Sequence, residues 1–341
     1  MGSTADSGLD HQGESDPGGT AARAGEAAES KGMAVTSEIS LAVAAKASGE
    51  NFPVALRVLP RSVRAHLTAF YGFARLVDDI GDEPLPALAG QLSPGGATPR
   101  STVPTPREMS AEEDRAIRLR LLDELEADVA KIYDGAEPHL PAMRVLGETV
   151  RACGIPFQPF KDLVQANRQD QQVTHYATYE QLVRYCELSA NPVGAVVLYI
   201  FGAATPERLA MSDKVCTALQ LVEHWQDVAE DLANGRVYLP QEDLRAHGVT
   251  EEDLARSTAS VAVVNLMGFE TDRATRLLDE GAPLAGTLSG WARLAVSGYI
   301  AGGRAAIAAI VNSGYDVLRK TPKPGKAATL AGLVSCYVKG R

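Results

Sequence analysis

The sequence predicts an all-α fold built as one domain. Apolar residues recur every three or four positions over long stretches, the spacing of helices with one buried face. Strand-like alternation is absent, and no internal repeat divides the chain. With 341 residues, 45% hydrophobic and 22% charged, there is chain enough for one large core.

Residues 1–32 stand apart. They are Gly, Ala, Ser and acid, with Leu9 their only large aliphatic residue after Met1 and six acids against two bases. Such a segment cannot bury enough apolar surface to offset chain ordering. Residues 1–37 are therefore expected to form a disordered tail, and 38–341 the domain. Helical spacing begins with Leu41, Ala44 and Ala45. It continues through Leu67, Phe70, Tyr71, Ala74 and Val77, in a helix starting near Arg61. Six prolines then fall between Pro84 and Met109, which marks 84–109 as a mobile surface loop. Ser110 is suited to cap the next helix, over 110–133. Further helices are expected at 139–153, 156–172, 178–204, 206–234, 258–280, 284–312 and 325–338. Ala301, Gly302, Gly303, Ala305 and Ala306 are small enough to allow close helix packing, or to leave room for a long ligand.

The net charge of −10 argues against nucleic acid, which needs clustered Lys and Arg. It does not exclude a phosphorylated substrate, because metal ions bridge carboxylates to phosphates. Cys153, Cys186, Cys216 and Cys336 are scattered without a CxxC pair, as suits a reduced cytoplasm. No run of 18 apolar residues suggests a membrane span, and no secretory signal opens the chain.

Two acidic motifs carry the chemistry. Asp78-Asp79-Ile80-Gly81-Asp82 ends the helix that begins near Arg61. Residues four apart share a helix face, so Asp78 and Asp82 point together, with Arg75 one turn earlier. Asp227-Val228-Ala229-Glu230-Asp231 repeats the arrangement, with Glu223 one turn earlier and Gly235-Arg236 at the helix end. Isolated acidic pairs usually lie on solvated faces. Here both follow strongly apolar stretches, Phe70 to Val77 and Leu219 to Val222, and both have an arginine nearby. Facing each other across a helical cavity, they would hold Mg²⁺ ions that share substrate phosphates. Arginines would take the remaining phosphate oxygens. The site would neutralise a diphosphate leaving group and leave a carbocation in an apolar cavity. The six histidines have no metal-ligand spacing, and surface or core roles suit them better.

These residues resemble the squalene/phytoene synthase family over roughly 38–320. The matching pieces are Phe52; Tyr71 through Asp82, as Tyr-x3-Arg-x2-Asp-x3-Asp; Tyr185-Cys186; Ala190 through Gly194; Gln220; Asp227 through Asp231; and Arg236-x-Tyr238-Leu239-Pro240. Three runs are closest to the family's hydroxysqualene synthase branch in hopanoid biosynthesis: Glu50 to Val54, Arg168 to Gln171, and Ser189 to Gly194. The resemblance implies an isoprenoid-synthase helical bundle with a central hydrophobic channel and Mg²⁺ held by Asp78, Asp82, Asp227 and Asp231. It adds Tyr71 as a catalytic residue, and the geometry of the Asn191-Pro192 pair adds Asn191. Arg75, Arg236, Phe52, Gln220, Tyr238 and Asp170 would bind diphosphate or substrate.

The reaction implied is that of a carbon–oxygen lyase. It ionises presqualene diphosphate and lets water capture the rearranged cation, giving hydroxysqualene. Farnesyl diphosphate would be the substrate of a complete condensing synthase. In the branch, a partner synthase supplies presqualene diphosphate and a flavin enzyme reduces the alcohol. A water-insoluble substrate implies a cytoplasmic protein touching the inner face of the membrane through its channel mouth. Leu188 replaces a tyrosine that condensing relatives carry in Tyr-Cys-x-Tyr, and Asn191-Pro192 replaces their Gly-x. The pair is expected either to kink a helix or to hold the water that ends the reaction. Glu223 stands where relatives usually have Asn.

Overall fold

A computed structural model of the chain describes residues 59–88 and 109–341. Phe52, the 1–37 segment and the start of the expected domain lie outside the described residues. The described part is helical, with one isolated parallel bridge, His175 to Val237, and no named strand. Its helices are α1 (Arg61–Asp82), α2 (Leu85–Leu88), α3 (Ala111–Asp134), α4 (Pro141–Cys153), α5 (Gln158–Asp170), α6 (Tyr179–Ser189), α7 (Asn191–Ile200) and α8 (Pro206–Gln226). They continue with α9 (Val228–Ala233), α10 (Gln241–His247), α11 (Glu251–Leu254), α12 (Val261–Gly281), α13 (Leu284–Thr287), α14 (Gly290–Asn312) and α15 (Lys326–Lys339).

The local chemistry explains most boundaries. Ser110 caps α3 in a reciprocal capping box with Glu113, and Gly135 ends it at φ 73°. Leu85 and Leu88 are buried, so the expected 84–109 loop opens with a short core-packed helix; residues 89–108 lie outside the described part. Three helices expected to be continuous are broken. The 178–204 stretch divides at Ala190, and Pro192 stands in the first turn of α7, where its missing N–H costs little, instead of kinking a helix interior. The 206–234 stretch divides at Asp227. The 284–312 stretch divides before Gly290, whose φ is 55°.

The core has two parts. One gathers α1, α3, α4 and part of α5 and α7 around Phe73, Ile80, Leu122, Leu146 and Phe160. The other gathers α6, α8, α12 and α14 around Leu182, Leu221, Trp225, Leu266 and Ile300. Helix α5 serves both, through Phe160, Leu163 and Val164 on one side and Ala166 on the other. Helix α14 is long and apolar enough to cross a membrane, but Ala292, Val296, Ile300, Ala306 and Ile310 are buried in the core. Its small residues serve close packing at Gly303, where an added Cβ would come 2.5 Å from Leu219 Cδ2.

Candidate active site

The two acidic motifs meet between the two core clusters. Asp78 and Asp82 on the last turns of α1, and Asp227 and Asp231 around the α8–α9 junction, line one cavity of about 340 Å³. Asn167 and Asp170 of α5, Tyr185 and Ser189 of α6, Gln220, Glu223 and His224 of α8, and Arg236 and Tyr238 complete most of its wall. The lining is chiefly polar, with Leu163 and Ala166 its aliphatic members. The expected apolar channel is not part of this cavity.

Each motif is held by contacts that motif spacing does not show. Asp227 departs from helical geometry, at φ −105° and ψ 17°, yet Asp231 N still donates to Asp227 O at 2.8 Å. That bond keeps the two carboxylates on one side across the break. The end of α1 is fixed by the buried Arg118 guanidinium, which donates to Ile80 O at 2.7 Å and Gly81 O at 3.0 Å. These are carbonyls that the helix end leaves without partners. Gly81 is required by close approach: a Cβ there would collide with Asn167 Oδ1. The Arg236–Tyr238 segment is extended and pinned beside 174–177 through Val237 N to Thr174 O and Gln241 N to Tyr176 O. It sends Arg236 and Tyr238 to the cavity, while Val237 and Leu239 join the core.

Burial governs the electrostatics. Asp78 keeps solvent contact through the cavity, but the protein around it penalises its charge, and its carboxyl is pushed up to about 7. Asn167 Nδ2 at 3.5 Å and the Arg75 charge oppose that shift, whereas Asp82 and Asp79 add to it. Asp170 is pushed up to about 6 by burial, although Tyr185 donates a 2.9 Å hydrogen bond to its Oδ2. Burial and then Asp231 raise Asp227. Burial works against the Arg236 charge, but Tyr238, Asp82 and Asp170 outweigh it and hold the guanidinium firmly protonated. Arg236 reaches Asp82 Oδ1 at 3.1 Å and so joins the second motif's loop to the first motif.

Other expected site residues fall elsewhere. Arg75 pairs with Asp79 at 2.9 Å, neutralising the carboxylate that turns into the core, and is not on the cavity wall. Tyr71 is half-buried and off the wall. Asn191 Oδ1 accepts a 2.9 Å hydrogen bond from Thr217 on α8, and Asn191 is also off the wall. Leu188 packs against the core. Sequence reasoning gave no site role to Asn167 or Ser189, and the surface or core role expected of His224 is corrected by its place on the cavity wall. His224 stacks on Tyr238 with centroids 3.7 Å apart, and its Nδ1 is 3.9 Å from Asp231 Oδ2. Its spacing three residues before Asp227 was the available signal. Ser189 Oγ and Asp170 Oδ1 are buried on the wall without a hydrogen-bond partner.

The donor set fits Mg²⁺. The carboxylates are hard oxygen ligands, and no cysteine lines the cavity. Among the described residues no three acidic, histidine or cysteine side chains form a metal-holding group by themselves.

The family model for squalene/phytoene synthases matches residues 45–327. A hydroxysqualene synthase of Rhodopseudomonas palustris is 32% identical over 237 residues, 69% of this chain and 70% of that protein. A chloroplastic phytoene synthase of Daucus carota is 30% identical over 225 residues, 64% of this chain and 56% of its own. Among solved structures, the squalene synthase HpnC from Alicyclobacillus acidocaldarius superposes with a TM-score of 0.68 at 34% identity, covering 84% of this chain and 95% of that one. A dehydrosqualene synthase, at TM-score 0.73 and 20% identity over 91% and 100% of the two chains, shares the fold.

Proposed function

The chain belongs to the squalene/phytoene synthase family, and on that premise we propose that it ionises presqualene diphosphate and directs water to the resulting cation, giving hydroxysqualene and diphosphate. The observation that supports this most is the convergence of Asp78, Asp82, Asp227, Asp231 and Arg236 on one cavity. Magnesium bound there supplies the Lewis-acid neutralisation that makes diphosphate a leaving group. The four aspartates would hold it, with phosphate oxygens of the substrate completing the shell. Arg236 takes a terminal phosphate oxygen by a charge-assisted hydrogen bond. As the C–O bond breaks, Tyr185 and Tyr238 on the cavity wall, their rings 5.8 Å apart, face the positive charge. Water adds through its oxygen to the rearranged cationic carbon, and the proton it loses passes to the released diphosphate.

Charge favours one diphosphate over two. Among the described residues the cavity wall carries a single arginine, because Arg75 is engaged by Asp79. A condensing synthase must neutralise two farnesyl diphosphates. The likeness to a hydroxysqualene synthase and Leu188 in place of the condensing tyrosine support the same reading. The water-holding role expected of Asn191 suits Ser189 and Asp170 better, since both residues line the cavity and Asn191 does not. The alternative is a complete synthase making squalene, presqualene diphosphate or phytoene-type products, which the phytoene synthase likeness favours. The test is incubation with Mg²⁺ and either presqualene or farnesyl diphosphate. Hydroxysqualene from the first and no condensation of the second is the expected result; condensation of farnesyl diphosphate overturns it.

A further inference from the structure

We propose that the outer face of α15 docks on an anionic lipid surface. Helix α15 packs one side on α14: Cys336 is buried, and a Cβ at Gly332 would stand 3.3 Å from Ala301 Cβ. The other side presents Leu330, Val334 and Val338, four residues apart and 62%, 58% and 72% exposed. These positions form one stripe along the helix. Trp291, 44% exposed, begins α14 at the same end as Tyr337 and Val338, where Arg293 lies over the Tyr337 ring and donates to Val338 O. A soluble surface rarely leaves an apolar stripe of this kind uncovered.

Charge identifies the occupant. Residues 317–341 hold six cations, Arg319, Lys320, Lys323, Lys326, Lys339 and Arg341, and no acid, in a chain whose net charge is −10. The other 316 residues therefore carry −16. An anionic bilayer would be repelled by most of this protein and attracted here. Lys326 and Lys339 are exposed at the two ends of the helix. Their long stems let the stripe sink into the interface while the ammonium groups stay among headgroups. A second copy is disfavoured, since six cations would face six. The surface also adjoins the cavity: Gln226 Nε2 donates to Pro322 O, and the Lys323 charge acts on Asp227. Docking would thus hold the cavity beside the lipid. The contact lies on α15, not on the polar cavity rim, and does not depend on which diphosphate is ionised.

Flotation of the full chain with phosphatidylglycerol-containing vesicles and with pure phosphatidylcholine vesicles tests this. Wild type should float with the anionic vesicles at low salt and much less with the neutral ones. Leu330→Asp/Val338→Asp should lower anionic partitioning at least about tenfold. Lys326→Glu/Lys339→Glu should lower it about fivefold or more per residue. All four sites are exposed, so the melting temperature should not move. Equal flotation of wild type and both variants, or none with either vesicle, overturns the proposal. So does a dimer in light scattering that Leu330→Asp dissolves. Diphosphate release from detergent-dispersed substrate reads the cavity separately and should be unchanged in these variants.

Discussion

At the scale of single residues, Asp78 joins chemistry to stability. Its carboxyl is pushed up to about 7, first by burial. A carboxyl raised in the folded chain stabilises that chain fully below the ordinary carboxylate range, and the contribution is lost as pH rises through 7. Without metal, the folded protein above pH 7 bears an unfavourable charge at Asp78, which a cation relieves. Asp78→Asn keeps the shape and the Asn167 contact but removes that charge. The metal-free variant should melt above wild type at pH 8, and the difference should shrink by pH 5 and vanish only below the ordinary carboxylate range. Turnover should fall by about 10²–10³-fold. Scanning calorimetry at the two pH values checks the first expectation, and a diphosphate-release assay the second. Near-normal turnover at saturating Mg²⁺ would remove Asp78 from the site.

At the scale of elements, the α1–α5 contact sets where the first carboxylate pair stands. Gly81 lets Asn167 reach Asp78, and Arg118 closes the helix end. Gly81→Ala should cost about 1–3 kcal/mol through overpacking and lower turnover as Asn167 is displaced. Gly81→Ala/Asn167→Ala should recover much of the stability but not the turnover. A thermal double-mutant cycle reads this coupling; additive losses would show that the contact does not matter. This scale also shows how far the sequence was legible. The acidic pairs and long helices were readable because burial imposes the periodicity. The breaks at Ala190 and Asp227 were not, because the pattern continues through a one-residue departure. Helices α10 and α11 are too short to show a period, although Thr250 and Asp253 form a capping box. The extended 236–240 segment depends on pairing with 174–177, some sixty residues away, and local pattern carries no trace of it. Arg75 lies off the wall because Asp79 holds it on the neighbouring side of the same turn, which face-sharing with Asp78 does not reveal.

At the scale of the whole molecule, the cavity lies where two core clusters meet, each contributing one carboxylate pair. Among the described residues, four aspartates, Asp170 and Glu223 face a space with one arginine, so anions alone are repelled and cations alone keep water where phosphate oxygens would bind. Mg²⁺ and diphosphate should therefore bind cooperatively and tie the two halves together. Binding to the folded chain alone stabilises by about 2.7 kcal/mol at one hundred times Kd. For a chain of this size that is a rise of several degrees in melting temperature. Mg²⁺ with inorganic pyrophosphate should give this rise, pyrophosphate alone should give little, Mg²⁺ alone should give less than the pair, and a chelator should reverse it. Asp227→Asn should abolish the joint effect while leaving the unliganded melt close to wild type. A shift of equal size from pyrophosphate without Mg²⁺ would mean that Arg236 binds the anion unaided and that the four aspartates do not act through a cation.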